Sequence, residues 1–179
     1  MNNLGGKLVI VGIAVVSIAG SVLAVWYHWQ LGRQALAYWG PDAAVLIRSA
    51  PQVELLRLAP AKEAEEGQSV ERLRIGGERF DVVCRSDITE ARGLIHARNA
   101  FLEDASFDFG ATPGDSPANW QWALRFAGEG SEALVAIDAD GGLARLIDGP
   151  GQSDVSIAPI ARGIRTFLAE QVGCQDGGL

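Results

Sequence analysis

The stretch that decides the fold is residues 120–147, which read WQWALRFAGEGSEALVAIDADGGLARLI. Its first eight residues alternate in the two-residue period of a β-strand. Their large apolar side chains fall on one predicted face: Trp120, Trp122, Leu124 and Phe126. Glycine-rich turns at 128–130 and 140–142 are followed by apolar runs at 133–138 and 143–147. We therefore predict a three-stranded antiparallel meander.

The residues before this stretch predict a further antiparallel unit. Gly76-Gly77 separates two alternating runs, 70–75 and 79–85, and this arrangement is typical of a β-hairpin. The segment Val53–Ala59 is rich in Val and Leu and predicts another strand. A loop of acidic character, residues 60–69, connects them.

Two amphipathic helices complete the pattern. Apolar residues recur at helical spacing over Thr89–Glu103 and again over Ala158–Val172. Helices segregated from antiparallel strands define the α+β class. The expected architecture is an antiparallel sheet of about five or six strands with two long helices packed on one face.

The N-terminal segment predicts a transmembrane helix. From Leu8 to Gly32 there is no Asp, Glu, Lys or Arg, and about 20 apolar residues suffice to span the hydrocarbon of a bilayer. Three aromatic residues at its end are expected at the membrane interface: Trp26, Tyr27 and Trp29. A signal peptide cleaved after Ala24 is the alternative, but the apolar run is longer than such peptides require.

One face of this predicted helix carries small residues. They follow helical spacing and are Ala14, Ser17, Gly20, Ser21 and Ala24. Small residues in register allow two helices to approach closely in lipid, so a helix–helix contact is one interpretation. The other is that Ala, Gly and Ser are common in such segments.

These patterns divide the chain into four parts. Residues 1–30 are the predicted membrane anchor, residues 31–52 a helical stalk, residues 53–172 an α+β domain facing water, and residues 173–179 a flexible tail. Lys7 is the only charged side chain before Arg33, and the distribution of positive residues favours a cytoplasmic N-terminus. The expected location is the inner (plasma) membrane in a single pass, with the domain on the periplasmic or extracytoplasmic side.

Composition limits the function. The chain has 179 residues, with 15 Lys and Arg against 22 Asp and Glu, so a nucleic-acid partner is not expected. Its two histidines, His28 and His96, lie in none of the spacings typical of zinc sites. No phosphate-binding glycine loop or nucleophile elbow occurs. We expect no cofactor, no metal, no catalytic set and no enzymatic activity.

The two cysteines, Cys84 and Cys174, are a candidate disulfide in an extracytoplasmic domain. Two independent thiols are the alternative, since spacing alone does not show whether they lie within reach.

The expected function is that of a membrane-anchored accessory or assembly protein. Lipid would contact residues 8–29, and a protein partner in a larger membrane complex would contact the domain. The alternative is a tethered module that binds a small ligand on the concave face of the sheet.

Overall fold

The computed structural model describes residues 4–30, 33–61, 71–111, 118–147, 149 and 153–171, and the side chains of the first helix from residue 12 to 26. Its helices are α1 (Leu4–Gln30), α2 (Arg33–Trp39), α3 (Pro41–Ser49), α4 (Leu94–Ala100) and α5 (Ala161–Gln171). Its strands are β1 (Gln52–Pro60), β2 (Arg72–Ile75), β3 (Glu78–Asp87), β4 (Trp120–Gly128), β5 (Ser131–Asp138), β6 (Leu143–Ile147) and β7 (Val155–Ser156). Two 3₁₀ turns lie at Asp104–Ser106 and Ala158–Ile160.

All strands belong to one antiparallel sheet in the order β2-β3-β1-β4-β5-β6-β7. The predicted α+β class, the hairpin at Gly76-Gly77 and the meander of β4, β5 and β6 are confirmed. The described residues form seven strands, not five or six. The additional one is β7, whose two residues are too few to show an alternating pattern in the sequence.

A β-bulge in β4 changes the face that Trp120 occupies. Trp120 pairs with Asp138 and Trp122 with Ile137, so Gln121 is an extra residue in the ladder. An extra residue shifts the alternation by one position. Trp122 therefore packs with the helices, whereas Trp120 is buried on the opposite face. The prediction that all four large residues of this strand share a face is wrong for Trp120.

Both faces of the sheet carry a buried cluster. The helix-side core packs α2, α3, α4 and α5 against one face and includes Trp39, Phe101, Phe126 and Leu168. The second core lies on the other face and comprises Leu56, Leu58, Ile75, Phe80, Trp120, Ala123, Leu134, Ala136 and Ile147. The sheet curls around this second core and brings the β2–β3 turn close to β6. The proximity is such that a side chain at Gly76 would collide with the guanidinium of Arg145.

Helices α2 and α3 contribute directly to the helix-side core. Trp39 and Ile47 are fully buried, and the indole Nε1 of Trp39 donates a hydrogen bond to the carbonyl oxygen of Phe101 at 2.5 Å. Pro41 begins α3, where its fixed φ suits the first helical turn. The described residues of the segment predicted as a stalk thus pack against the domain.

The two helices predicted to be long are shorter. α4 has 7 residues because Gly93, with a φ of 94°, adopts the left-handed conformation immediately before it. α5 has 11 residues and follows a 3₁₀ turn that contains Pro159. One face of the sheet does carry the helices, but α2 and α3 share it with them.

The helix predicted to cross the membrane corresponds to α1, which has 27 residues. Within the described residues, no helix combines the length and the apolarity required for a bilayer crossing. The described fold therefore gives the transmembrane prediction no support. The predicted tail, residues 173–179, lies outside the described ranges.

Candidate functional site

A groove of about 640 Å³ lies between α4 and α5. Its apolar lining comes from small and medium-sized residues of the two helices and the turn before α5: Gly93, Ala97, Ala100, Pro159, Ile160, Gly163, Ile164 and Phe167. Polar and charged side chains lie around it: Arg92, His96, Arg162, Thr166 and Glu170. The arrangement is that of an apolar depression with a polar rim.

Small residues explain why the two helices leave a groove. Gly93 lies immediately before α4, and a Cβ placed there would lie 3.6 Å from the ring of Phe167. Ala97 and Ile164 are buried in the helix-side core, so both helices pack onto the sheet, and the α4 side of the groove carries only the small apolar residues Gly93, Ala97 and Ala100. A Cβ at Gly163 would have no atom within 4 Å, which places that position at open space.

The side chain of Arg98 holds α4 in place from the side away from the groove. Its guanidinium donates hydrogen bonds to the carbonyl oxygens of Arg48 at 3.1 Å and Ala50 at 2.8 Å, at the end of α3. It also lies 5.9 Å from the ring centroid of Phe126. Burial lowers the pKa of Arg98, although arginine stays charged at physiological pH.

The start of α2 is fixed by a distant carboxylate. The two oxygens of Asp104 accept hydrogen bonds from the backbone amides of Gln34 at 3.3 Å and Ala35 at 2.7 Å. A carboxylate in this position satisfies amides that have no partner within the helix and complements its dipole. The segment that follows α1 is therefore bonded to the 3₁₀ turn after α4.

Tyr38, later in α2, contacts the end of the sheet. Its hydroxyl donates to the carbonyl oxygen of Ser153 at 2.7 Å and lies 3.3 Å from that of Ala144 in β6. Burial raises the pKa of Tyr38 above its usual value of 10.0. The phenol therefore remains neutral across the physiological range.

An ionic network joins β1, β3 and β4 on the face of the second core. Arg125 contacts Glu54 at 3.2 Å, Glu132 at 3.4 Å and also Glu71, while Arg85 contacts Glu71 and Glu54. Burial acts to lower the pKa of Arg125, but its hydrogen bonds and charge interactions with these glutamates outweigh burial and raise it. The glutamates balance the charge of Arg125 within the fold. Because the Arg125 side chain is only 13% exposed, it does not present its charge to solvent.

The residues predicted at a helix–helix contact all lie on α1. Ala14, Ser17, Gly20, Ser21 and Ala24 are exposed. The hydroxyl of Ser21 donates to the carbonyl oxygen of Ser17 at 2.9 Å, within the same helix. Their contact with a second helix stays a prediction.

Of the predicted interfacial aromatics, Trp26 is 59% exposed, and the side chains of Tyr27 and Trp29 lie outside the described residues. Cys84 is half-buried in β3 opposite Arg57, and the described part of the chain contains no free thiol. Cys174 lies outside the described ranges, so the Cys84–Cys174 disulfide stays a prediction.

The groove was not predicted from the sequence. Its two sides lie about 60 residues apart in the chain, and His96 lies in none of the spacings typical of a zinc site. The described residues include no group of three or more His, Cys, Asp or Glu that could hold a metal ion. The available signal was the excess of arginine in residues 91–102 and 158–171 of an otherwise acidic chain.

No protein-family model, no curated protein and no solved structure matches this chain.

Proposed function

We propose that this chain is a membrane-tethered accessory or assembly protein, held to the bilayer by α1 and acting through a protein contact at the groove between α4 and α5. The observation that carries the proposal is the exposed apolar surface of α1. Its large side chains are exposed by about 60% or more: Ile13, Val15, Val16, Ile18, Val22, Leu23, Val25 and Trp26.

The cost of leaving this surface in water supports a tether. Burying one large aliphatic side chain is worth about 1.5–3 kcal/mol, so the seven exposed aliphatic side chains, together with Trp26, represent a large unfavourable term. Exposed apolar patches of this size mark a membrane or protein contact. Lipid is the favoured cover because the sequence from Leu8 to Gly32 contains no charged side chain.

The location follows from the same segment. A single pass of the inner membrane with an extracytoplasmic domain is favoured by Lys7 as the only charged side chain before Arg33. The acidic domain would be repelled by anionic lipid headgroups, which favours a position above the bilayer.

The groove supports the choice of a contact surface on the domain. A depression with an apolar lining and a polar rim is the usual form of a site for an amphipathic segment. Its volume of about 640 Å³ also lies in the range of small-molecule sites, so a tethered module for a small apolar ligand is the second candidate.

Membrane extraction tests the tether. The full chain should remain in the membrane pellet after alkaline carbonate treatment and should float with liposomes in a density gradient. Replacing Val16 and Ile18 with lysine should release it, because two charges near the centre of α1 cost several kcal/mol in lipid.

The matched control is Val83→Lys, which charges an exposed apolar side chain of β3 instead. This variant should stay in the pellet. Recovery of the unaltered chain in the carbonate supernatant would contradict the proposal. Size analysis in mild detergent then tests the partner: a monomer without a second component, prepared from native membranes, argues against an assembly role.

A further inference from the structure

We propose that the groove between α4 and α5 binds a short amphipathic helix whose polar face is acidic, supplied by a partner protein. This inference names the partner chemistry of the proposed contact surface and rests on that proposed function. It goes beyond the tether, because binding to the groove does not require α1 to be in lipid.

The shape of the groove favours a helix. Its walls are two short helices, α4 and α5, with small apolar residues on the α4 side and the larger ones, Ile160, Ile164 and Phe167, on the α5 side. Gly93, Ala97, Ala100 and Gly163 let a third helix approach closely, while Ile160 and Phe167 offer apolar contacts to its i and i+4 side chains. Because α5 has 11 residues and rises about 16 Å, the groove fits about three turns of helix.

The charges favour an acidic polar face on that helix. Residues 91–102 contain Arg92 and Arg98 and no Asp or Glu, and residues 158–171 contain Arg162, Arg165 and a single acid, Glu170. Of the residues that line the groove, Arg92 and Arg162 are basic and Glu170 is acidic, so the lining carries a net charge of +1 in a chain whose net charge is −7. Complementary charges at a rim raise the association rate and select against partners of like charge.

Arg92 and Arg162 are the two arginines that line the groove itself. Both are exposed, so their side chains can pair with glutamates on the solvent side of a bound helix. Arg98 does not compete for this role, because its guanidinium is bonded to the carbonyl oxygens at the end of α3.

The test is peptide binding to the full chain in detergent micelles, followed by fluorescence anisotropy. Two fluorescein-labelled 12-residue helical peptides share one apolar face of Leu and Ile and carry either Glu or Lys on the polar face. We expect the Glu peptide to bind at least about tenfold more tightly than the Lys peptide, and we expect this preference to shrink with added salt.

Variants place the binding in the groove. Thr166→Trp fills the groove from α5 and should weaken binding of the Glu peptide by about tenfold or more, whereas Ala169→Trp alters an exposed position of the same helix outside the groove and should leave it unchanged. Exchanging both Arg92 and Arg162 for Glu should reverse the preference between the two peptides.

Three results would overturn the inference. The first is equal binding of both peptides, and the second is no effect of Thr166→Trp on peptide binding. The third is that neither peptide binds, while the unaltered chain binds vesicles of anionic lipid and the Thr166→Trp variant does not. The last result would assign the surface to lipid. A chain that binds the Glu peptide but fails the carbonate test would keep the groove and reject the tether. A chain that stays in the membrane pellet after carbonate treatment but binds neither peptide would keep the tether and reject the groove.

Discussion

At the scale of single residues, two side chains connect α2 to the rest of the domain: Asp104 in the 3₁₀ turn after α4, and Tyr38 in α2 itself. Asp104 bonds to the first amides of α2, and Tyr38 bonds to the carbonyl oxygen of Ser153. Between them they hold a helix of 7 residues that carries the fully buried Trp39. Helices of this length are not stable alone, so these tertiary bonds decide whether the helix forms.

Replacing Asp104 with alanine should therefore destabilise the fold. The change removes acceptors for two helix-terminal amides, and the expected loss is about 1 kcal/mol of unfolding free energy. Thermal or denaturant unfolding of the full chain in detergent measures it. The neighbouring Glu103→Ala, at an exposed position, serves as the control. An Asp104→Ala variant as stable as this control would show that the cap contributes nothing.

The raised pKa of Tyr38 predicts that the unfolding free energy depends on pH in the alkaline range. In the unfolded chain its pKa is close to the usual 10.0, whereas burial raises the pKa in the folded chain. The folded state then retains a proton that the unfolded state releases, so unfolding free energy falls as pH rises above about 10. Below that pH the contribution is fully present.

Comparison with Tyr38→Phe isolates this contribution, because Tyr27 and all other groups are the same in both chains. At pH 8 the variant should be less stable by about 1 kcal/mol, the value of a typical hydrogen bond. Above pH 10 the difference between the two chains should shrink. A difference that stays constant from pH 8 to 11 would contradict the raised pKa.

At the scale of secondary-structure elements, the two arginines of the ionic network differ in burial and in the number of glutamates they contact. Arg125 is 13% exposed and contacts three glutamates, whereas Arg85 is 46% exposed and lies at the edge of the network. Removing one partner of a poorly solvated pair leaves the other charge uncompensated. Solvated pairs contribute little.

We therefore expect Arg125→Ala to lower the unfolding free energy by about 3 kcal/mol and Arg85→Ala by less than about 1 kcal/mol. Denaturant unfolding of both variants beside the unaltered chain provides the measurement. Equal effects from the two substitutions would mean that burial of the network does not govern its strength.

The elements also show what the sequence could predict. Glycine turns between apolar or alternating runs were sufficient to predict β2 through β6, and the Val and Leu content of residues 53–59 was sufficient for β1. The face of Trp120 was not predictable, since the bulge at Gln121 appears only once the strand is paired with β5. The late start of α4, after Gly93 instead of at Thr89, was not predictable because a single glycine does not by itself specify a left-handed φ.

The groove could not be derived in the same way. It depends on the distance between α4 and α5, which is set by packing of both helices on the sheet and by the sizes of residues far apart in the chain. Local patterns carry no information on such a distance. The charge excess of the two segments was visible, but without their proximity it did not indicate a site.

At the scale of the whole molecule, the chain separates an apolar helix from an acidic domain that has two cores of its own. The domain does not need α1 to bury its side chains, since the described ones of α1 are exposed. A helix that adds nothing to the domain core is best explained by a surface outside the chain. Under the proposed tether, the architecture also requires the domain to lie on one side of the membrane.

The cysteines provide a prediction of that side. Disulfides form in extracytoplasmic compartments and are rare in the cytoplasm. If the domain lies outside, Cys84 and Cys174 should pair, and closing so long a loop should contribute about 4–5 kcal/mol in a chain-entropy account. Alkylation of the full chain in intact membranes should label no thiol before reduction and two thiols after it. Cys174→Ser should expose one thiol without reduction, because a serine cannot form this bond. Two labelled thiols in the unreduced native chain would instead favour the opposite orientation, with the acidic domain and its groove directed at cytoplasmic partners.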